Sequence, residues 1–247
     1  MTSSDSVLTA TSMNRMTISV ATRLLDLIAP RLCTVCGRRL APSEQVLCAD
    51  CNIHLPRTHF QHNAYDNIMA RLFWKLIPVE RAAAFFYYEA SSRESKILYE
   101  LKYHDHPEIG FGMGQLMAHE FAESGFFDGI DMIVPVPLAR KRQRQRGYNQ
   151  SIELAKGISQ VTGLPISDCV VQRKVFLKSQ TRMGFWDRQE NVAHVFELSD
   201  DTAIRGKHLL LVDDVVTTGA TMTACAREIL KAEGVRISML SLGFAKS

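Results

Sequence analysis

Two groups of residues have the types and spacing to do chemistry. The first is the stretch LLLVDDVVTTGAT, Leu209 to Thr221, in which four apolar residues precede adjacent carboxylates and then a run of hydroxyls closed by glycine. Leu209 to Val212 has the length and unbroken apolarity of a strand buried on both faces, as central strands of parallel sheets are. Asp213 and Asp214 then emerge at the strand's carboxyl end, the edge where open α/β sheets bind ligands. Neighbouring carboxylates repel, so the pair needs hydrogen-bond donors, such as vicinal sugar hydroxyls or the water shell of magnesium. Past Val215, the residues Thr217, Thr218, Gly219, Ala220 and Thr221 open a helix expected to run to about Glu233, with Gly234 as its stop. Backbone N–H groups at a helix start, with the positive end of the dipole, make an anion site. Gly219 lets the backbone approach closely or take positive φ. No lysine follows the glycine as in a nucleoside-triphosphate loop, so the cradle suits one phosphate. Sugar hydroxyls beside one phosphate describe a ribose 5-phosphate. The plainer alternative is that Thr217 or Thr218 caps the helix and the aspartates are solvated turn residues. A cap explains a threonine but not two acids placed directly after a buried strand.

The second group is Cys33-x2-Cys36 and Cys48-x2-Cys51, separated by eleven residues, which is the spacing of a closed tetrahedral zinc site. Gly37 frees the turn after the first pair. A redox pair or an iron site are the competing uses. A structural zinc supplies on the order of 10 kcal/mol of apparent folding free energy, enough for a segment too poor in large apolar residues to build a core. Four thiolates leave no open position for catalysis. His54, His59 and His62 read as loop residues, and Cys169 and Cys225 as small buried ones. This distribution of cysteines speaks against a disulfide framework.

The stretch from Leu209 resembles the phosphoribosyl-pyrophosphate (PRPP) motif of type I phosphoribosyltransferases. That resemblance implies that Asp213 and Asp214 hold the ribose hydroxyls and that Thr217 to Thr221 wrap the 5-phosphate. A basic run, Arg140, Lys141, Arg142, Arg144 and Arg146, leaves a second expected strand at Ile133 to Val136 and ends at Gly147. Taken alone it reads as a solvated loop or a weak nucleic-acid patch. Leaving the same sheet edge as the cradle, it reads instead as a pyrophosphate site, with Arg146 and the backbone around Gly147 as its main candidates and Arg140 beside them. The segment from Gln172 to Val192 could be a hairpin connection. It also resembles the hood that closes over PRPP in amidophosphoribosyltransferase-like enzymes, with Arg173, Gln180, Arg188 and Asn191 at the matching polar positions.

The elements that must position these groups follow from periodicity. TISVATRLLDLIAP spaces Ile18, Ala21, Leu24, Leu25 and Ile28 on one helix face, a docking helix ended by Pro30. AAAFFYYEA reads as a strand, SSRESKILYELKYH as a helix starting at Ser92, and HPEIGFGMGQLMAHEFAESG as a helix weakened by its glycines. From Asp131 the order is strand, helix, strand, strand, helix, strand, which predicts a mainly parallel sheet flanked by helices. The expected division is a tail over 1–16, a docking helix and zinc knuckle over 17–62, and a phosphoribosyltransferase-like α/β domain over 63–247. A net charge of +3 is too small for a protein that coats itself with nucleic acid or anionic lipid, so any basic function is local. No apolar run reaches the roughly 18 residues of a membrane span, and the opening residues lack the apolar core of a secretory signal, which predicts a cytoplasmic protein.

The knuckle in front of that domain, with VPVPLARKRQRQRGYNQS and QENV, resembles the ComF family of competence and DNA-utilisation proteins. Lys102, in ILYELKYHDHPEIG, matches a basic position usual there. The resemblance implies a protein linked to uptake or use of exogenous DNA and working beside a helicase-like partner. Two functions follow. One is a phosphoribosyltransferase that binds PRPP with magnesium and serves an unidentified acceptor. The other is a non-catalytic partner of the uptake machinery that binds nucleotide or single-stranded DNA. An acceptor pocket is expected mainly from residues 63–130, where the sequence shows no acidic or aromatic set that names a base.

Overall fold

The computed structural model describes residues 30–103, 105–174, 195–199 and 201–245. The expected tail and docking helix lie outside them. The described residues form six strands: β1 (Arg81–Tyr88), β2 (Met132–Pro135), β3 (Val171–Arg173), β4 (Phe196–Leu198), β5 (His208–Val216) and β6 (Arg236–Ala245). Four of them form one parallel sheet in the order β1-β6-β5-β2, and β3 and β4 pair antiparallel beside it. Parallel neighbours require crossovers. These are made by α3 (Ser95–Tyr103), α4 (Pro107–Ala122), α5 (Arg140–Arg146), α6 (Gln150–Thr162) and α7 (Ala220–Ile229), after two short helices, α1 (Ala49–Ile53) and α2 (Ile68–Phe73). The mainly parallel, helix-flanked sheet is the one expected.

β5 lies between β2 and β6, and Leu209 to Val212 are fully buried. Its partner β2 stops at Pro135, opposite Val212, whereas β5 continues past it with Asp213 opposite Ser241 of β6. The acid pair therefore leaves the sheet on the side where β2 has ended. Asn149 fixes what comes next. Its side-chain oxygen accepts from the Ser151 N–H at 3.1 Å, capping α6, while its Nδ2 donates to the Val136 carbonyl at 3.0 Å. One side chain thus ties the start of α6 to the end of β2.

The glycines of α4 have a packing reason. A Cβ on Gly114 would strike the Leu154 carbonyl oxygen of α6, and one on Gly157 would strike the Phe111 carbonyl oxygen of α4. The two helices cross backbone to backbone, and this contact outweighs the poor helix propensity.

Three expectations are corrected. The basic run is a seven-residue helix, α5, closed by Gly147 at φ 79°, and not a loop. α7 ends at Ile229, because Lys231 and Ala232 turn through i→i+3 bonds; Gly234, at φ 69°, belongs to the turn into β6. Cys225 is buried as expected, but Cys169 is exposed. At the start of α3, Ser92 does act as a cap, its Oγ accepting from the Ser95 N–H at 3.3 Å, although the helix begins three residues later.

Gly157→Leu should push α4 and α6 apart and lower the thermal midpoint by roughly 4–8 °C, about 2 kcal/mol for a domain of this size. Unchanged melting in a calorimetric scan would mean that the helices do not meet there.

Candidate functional site

The carboxyl end of β5 opens onto a cavity of about 250 Å³. Asp213 Oδ1 accepts from the Ser151 hydroxyl at 3.0 Å and from the Asp214 N–H at 2.9 Å. Asp214 Oδ2 lies 3.2 Å from Lys102 Nζ, which reaches over from the last turn of α3. Burial, and then the neighbouring Asp214 charge, push the Asp213 carboxyl up to about 7, against the opposing pull of its hydrogen bonds and Lys102. The carboxyl is thereby brought into the range where it is readily protonated, and a metal ion or a donating sugar hydroxyl would favour its ionised form.

Val215 and Thr217 to Met222 enclose a second, smaller cavity next to Asp213. Gly219 caps α7 at φ 72° with no side-chain bond of its own, and the Thr218 hydroxyl accepts from the Ala220 N–H at a long 3.5 Å. Capping therefore accounts for Thr218 by this one long bond and leaves the placement of Asp213 and Asp214 unexplained. A Cβ on Gly219 would come within 2.7 Å of the Phe73 ring and 3.0 Å of Leu72, both on α2, so the cradle is roofed as well as left-handed. Thr217 and Thr221 line the larger cavity, and Thr218 and Ala220 the smaller.

The far wall of the larger cavity is cationic. Arg142 and Arg146 enter it from α5 and Arg173 from β3, while Arg140 is not among its lining residues. The Arg173 guanidinium sits 5.2 Å from the centre of the Phe196 ring, and burial followed by the Arg142 charge lowers its proton affinity. Gly147 lies in the adjoining space beside Arg146. Gln180, Arg188 and Asn191 lie outside the described residues.

Sequence reasoning missed Gln150. It is the first residue of α6, 1% exposed, it lines the cavity, and its Nε2 has no hydrogen-bond partner among the described residues. A buried donor left unpaired costs about 1–3 kcal/mol, which a ligand oxygen would recover. Its place directly behind the basic run, at a helix start facing the sheet edge, was the available signal.

Residues 101–245, more than half of the chain, match the phosphoribosyl transferase domain. The chain belongs to this family. Among curated relatives, the DNA utilization protein YhgH of Escherichia coli O6:H1 is 29% identical over 81% of this chain and 84% of its own length. Competence protein F of Haemophilus influenzae is 32% identical over 41% and 44%, and competence protein ComFC of Bacillus subtilis 24% over 88% and 80%. The resemblance to the ComF family holds on these relatives. Among solved structures, a glutamine PRPP amidotransferase from B. subtilis, complexed with ADP and GMP, is 18% identical with a TM-score of 0.39. The match covers 57% of this chain and 30% of that one, so this chain spans less than a third of it.

The four cysteines of the knuckle also meet. Their sulfurs all lie within 4.8 Å of one another, and Cys36 Sγ and Cys48 Sγ are 3.7 Å apart. Metal–sulfur bonds of about 2.3 Å in a tetrahedron place sulfurs ~3.8 Å apart, so the donor set fits a dication of that kind. Burial opposes ionisation of Cys33, but N–H groups of Cys36, Cys48 and Val35 outweigh it and bring the thiol down to about 7. Burial, then the facing sulfurs, hold Cys51 well above the ordinary thiol range. Glu44 braces the intervening loop, accepting from the Ala41 and Ala49 N–H groups at 2.6 Å each.

Two outcomes are expected. Cys48→Ser should lose stoichiometric metal and expose the first sixty or so residues to protease, and unchanged metal content would count against a four-thiolate site. The raised Asp213 carboxyl makes the fold hold a proton that the unfolded chain releases. That cost to stability grows as pH rises from about 4 and is complete above about 7. Asp213→Asn should therefore melt roughly 2–4 °C above the parent at pH 8, about 1 kcal/mol, and level with it near pH 4; a pH-independent difference would refute this assignment.

Proposed function

We propose that this protein binds PRPP or a ribose 5-phosphate nucleotide, with magnesium, at the carboxyl edge of β5, and does so in the uptake or use of DNA. The observation that carries this reading is the cavity in which the acid pair, Thr217 and Thr221 of the cradle and three arginines converge. Asp213 and Asp214 would hold the ribose hydroxyls, and Thr217, Thr218, Gly219, Ala220 and Thr221 the 5-phosphate. Arg142, Arg146 and Arg173 suit the two phosphates of a leaving group, and Gln150 would donate its unpaired N–H to one of their oxygens. Magnesium would neutralise diphosphate charge as the anomeric bond to it breaks. Lys102 keeps Asp214 paired until a ligand arrives. The acceptor in such a transfer would be an amine or a base nitrogen. In this reading the knuckle holds a structural zinc as a module over 17–62, the transferase-like domain covers 63–247, and the protein works in the cytoplasm; among the described residues no helix is long and apolar enough to cross a membrane.

The Lys102–Asp214 ion pair at 3.2 Å favours a second reading. If the lysine stays in place, the site binds nucleotide without turnover, and the protein acts as a partner of a helicase-like uptake protein or of single-stranded DNA. Calorimetric titration with PRPP and magnesium tests the site that both readings share, run beside Asp213→Asn/Asp214→Asn and Gln150→Met. Saturable binding is expected, abolished in the double variant and weakened about tenfold in Gln150→Met, with the latter no less stable to heat. No binding at millimolar ligand would overturn the ribose-phosphate site.

A further inference from the structure

The space between the end of α3 and the corner where α5 turns into α6 has no role in the site described so far. It is a cavity of about 390 Å³ lined by Tyr103, Asp105, Gln145, Arg146 and Gly147. It adjoins the ribose-phosphate cavity at two points. Arg146 lines both, and Tyr103 follows Lys102, which holds Asp214.

Its lining is chemically mixed in a particular way. Tyr103 is 65% exposed, a large aromatic face left at the surface. The Arg146 guanidinium carbon lies 5.5 Å from its ring centre, and the Tyr99 ring, one turn back on α3, lies 5.1 Å away. Flat π surfaces and a guanidinium plane are what proteins stack planar bases against. The polar lining supplies an edge. Asp105 offers a carboxylate, which only accepts, and Gln145 and Arg146 offer N–H donors.

The backbone holds this edge in uncommon conformations. Asp105 has φ 54°, one of two non-glycine residues with positive φ among those described, and Gly147 faces it at φ 79°. A Cβ on Gly147 would come 3.3 Å from Asp105 Oδ1, so glycine there keeps room for the carboxylate. The Tyr148 hydroxyl donates to the Leu101 carbonyl at 2.6 Å, fastening the end of α3 to the α5–α6 corner. The cavity walls are thus tied together by this bond.

We propose that this cavity is the base subsite of the ribose-phosphate site and takes a nucleobase whose edge carries two adjacent N–H donors, guanine being the type. A guanine edge sets its ring N–H and its amino N–H side by side, which the two oxygens of Asp105 can accept together, and its opposite edge carries acceptors for Gln145, while the Arg146 plane lies against the ring face. Adenine would set a ring acceptor against the carboxylate. The inference rests on the ribose-phosphate reading above and names the base that such a ligand would carry.

The test is calorimetric titration of the full chain, in magnesium, with ribose 5-phosphate, guanosine 5′-monophosphate, adenosine 5′-monophosphate and guanosine. Guanosine monophosphate should bind about tenfold more tightly than either ribose 5-phosphate or the adenosine nucleotide. Tyr103→Ala should bring it down to the level of ribose 5-phosphate, and Tyr103→Phe should keep the gain, which separates stacking from misfolding. Asp105→Asn, which tolerates the same left-handed backbone, should bring it down to the level of the adenosine nucleotide. Equal affinity of the parent protein for the guanosine nucleotide and ribose 5-phosphate, or a gain that survives in Tyr103→Ala and Asp105→Asn, would overturn the proposal. Failure of ribose 5-phosphate and PRPP to bind would overturn the ribose-phosphate reading alone. Guanosine then decides the subsite: millimolar binding lost in Tyr103→Ala upholds it, and no binding overturns it.

Discussion

Two carboxylates side by side at the end of a buried strand repel each other where little water reaches them, and the surrounding structure is arranged to let them stand there. Ser151 and the Asp214 N–H give Asp213 its donors, and Lys102 gives Asp214 its counter-charge. Each donor comes from a different element, Ser151 from the first turn of α6 and Lys102 from the last turn of α3. Both helices have to sit close to the sheet edge for this to work. For α6, the closeness comes from the glycine crossing with α4 and from Asn149, which binds the helix start to the end of β2. What remains uncompensated at Asp213 appears as a held proton. A structure that served folding alone would place an apolar pair at this point, so the cost argues for a ligand that repays it.

The same cost recurs at Gln150, whose side chain is buried with an amide donor unpaired. Two unrelated groups, one acidic and one neutral, are thus left short of partners on the walls of a single cavity. Arg142, Arg146 and Arg173 stand around that cavity, and among the described residues that line it no carboxylate stands beside the acid pair. An anionic ligand that also carries hydroxyls satisfies all three sets at once, which neither a bare anion nor a bare sugar would do.

The parts of this arrangement that were legible in the sequence are those whose signal is local. An unbroken apolar run ending in two acids and a threonine-glycine turn can be read residue by residue, and so can paired cysteines at fixed spacing. The α5 helix could not be read this way, because ARKRQRQRG has no apolar stripe to show a period and is set by its place between β2 and Gly147. The glycines of α4 misled for the opposite reason, since their local cost is repaid by a partner some forty residues away. Gln150 was invisible because a glutamine at a helix start is ordinary until its burial and its unpaired nitrogen are known. Tyr103 and Asp105 lay within the segment searched for a base-binding set, but only folding brings them to Gln145 and Arg146.

The knuckle touches none of these groups, yet it is joined to them by packing. Val46 lies so close to α4 that only glycine fits at position 112. Arg57, just beyond the knuckle, pairs with Glu120 of α4 at 2.8 Å, lies 4.1 Å from the centre of the Phe85 ring of β1, and donates to Asn52. α4 in turn bears on α6 through its other glycines, and α6 begins with Gln150 and Ser151. A cluster of four cysteines, two of them with thiol affinities driven in opposite directions, becomes a rigid body once a dication takes the protons' place. Since four sulfur ligands would leave such a metal no position for substrate, the contribution open to it is placement: it would stiffen the outer face of α4, against whose inner face the helix carrying two of the site's donors is packed.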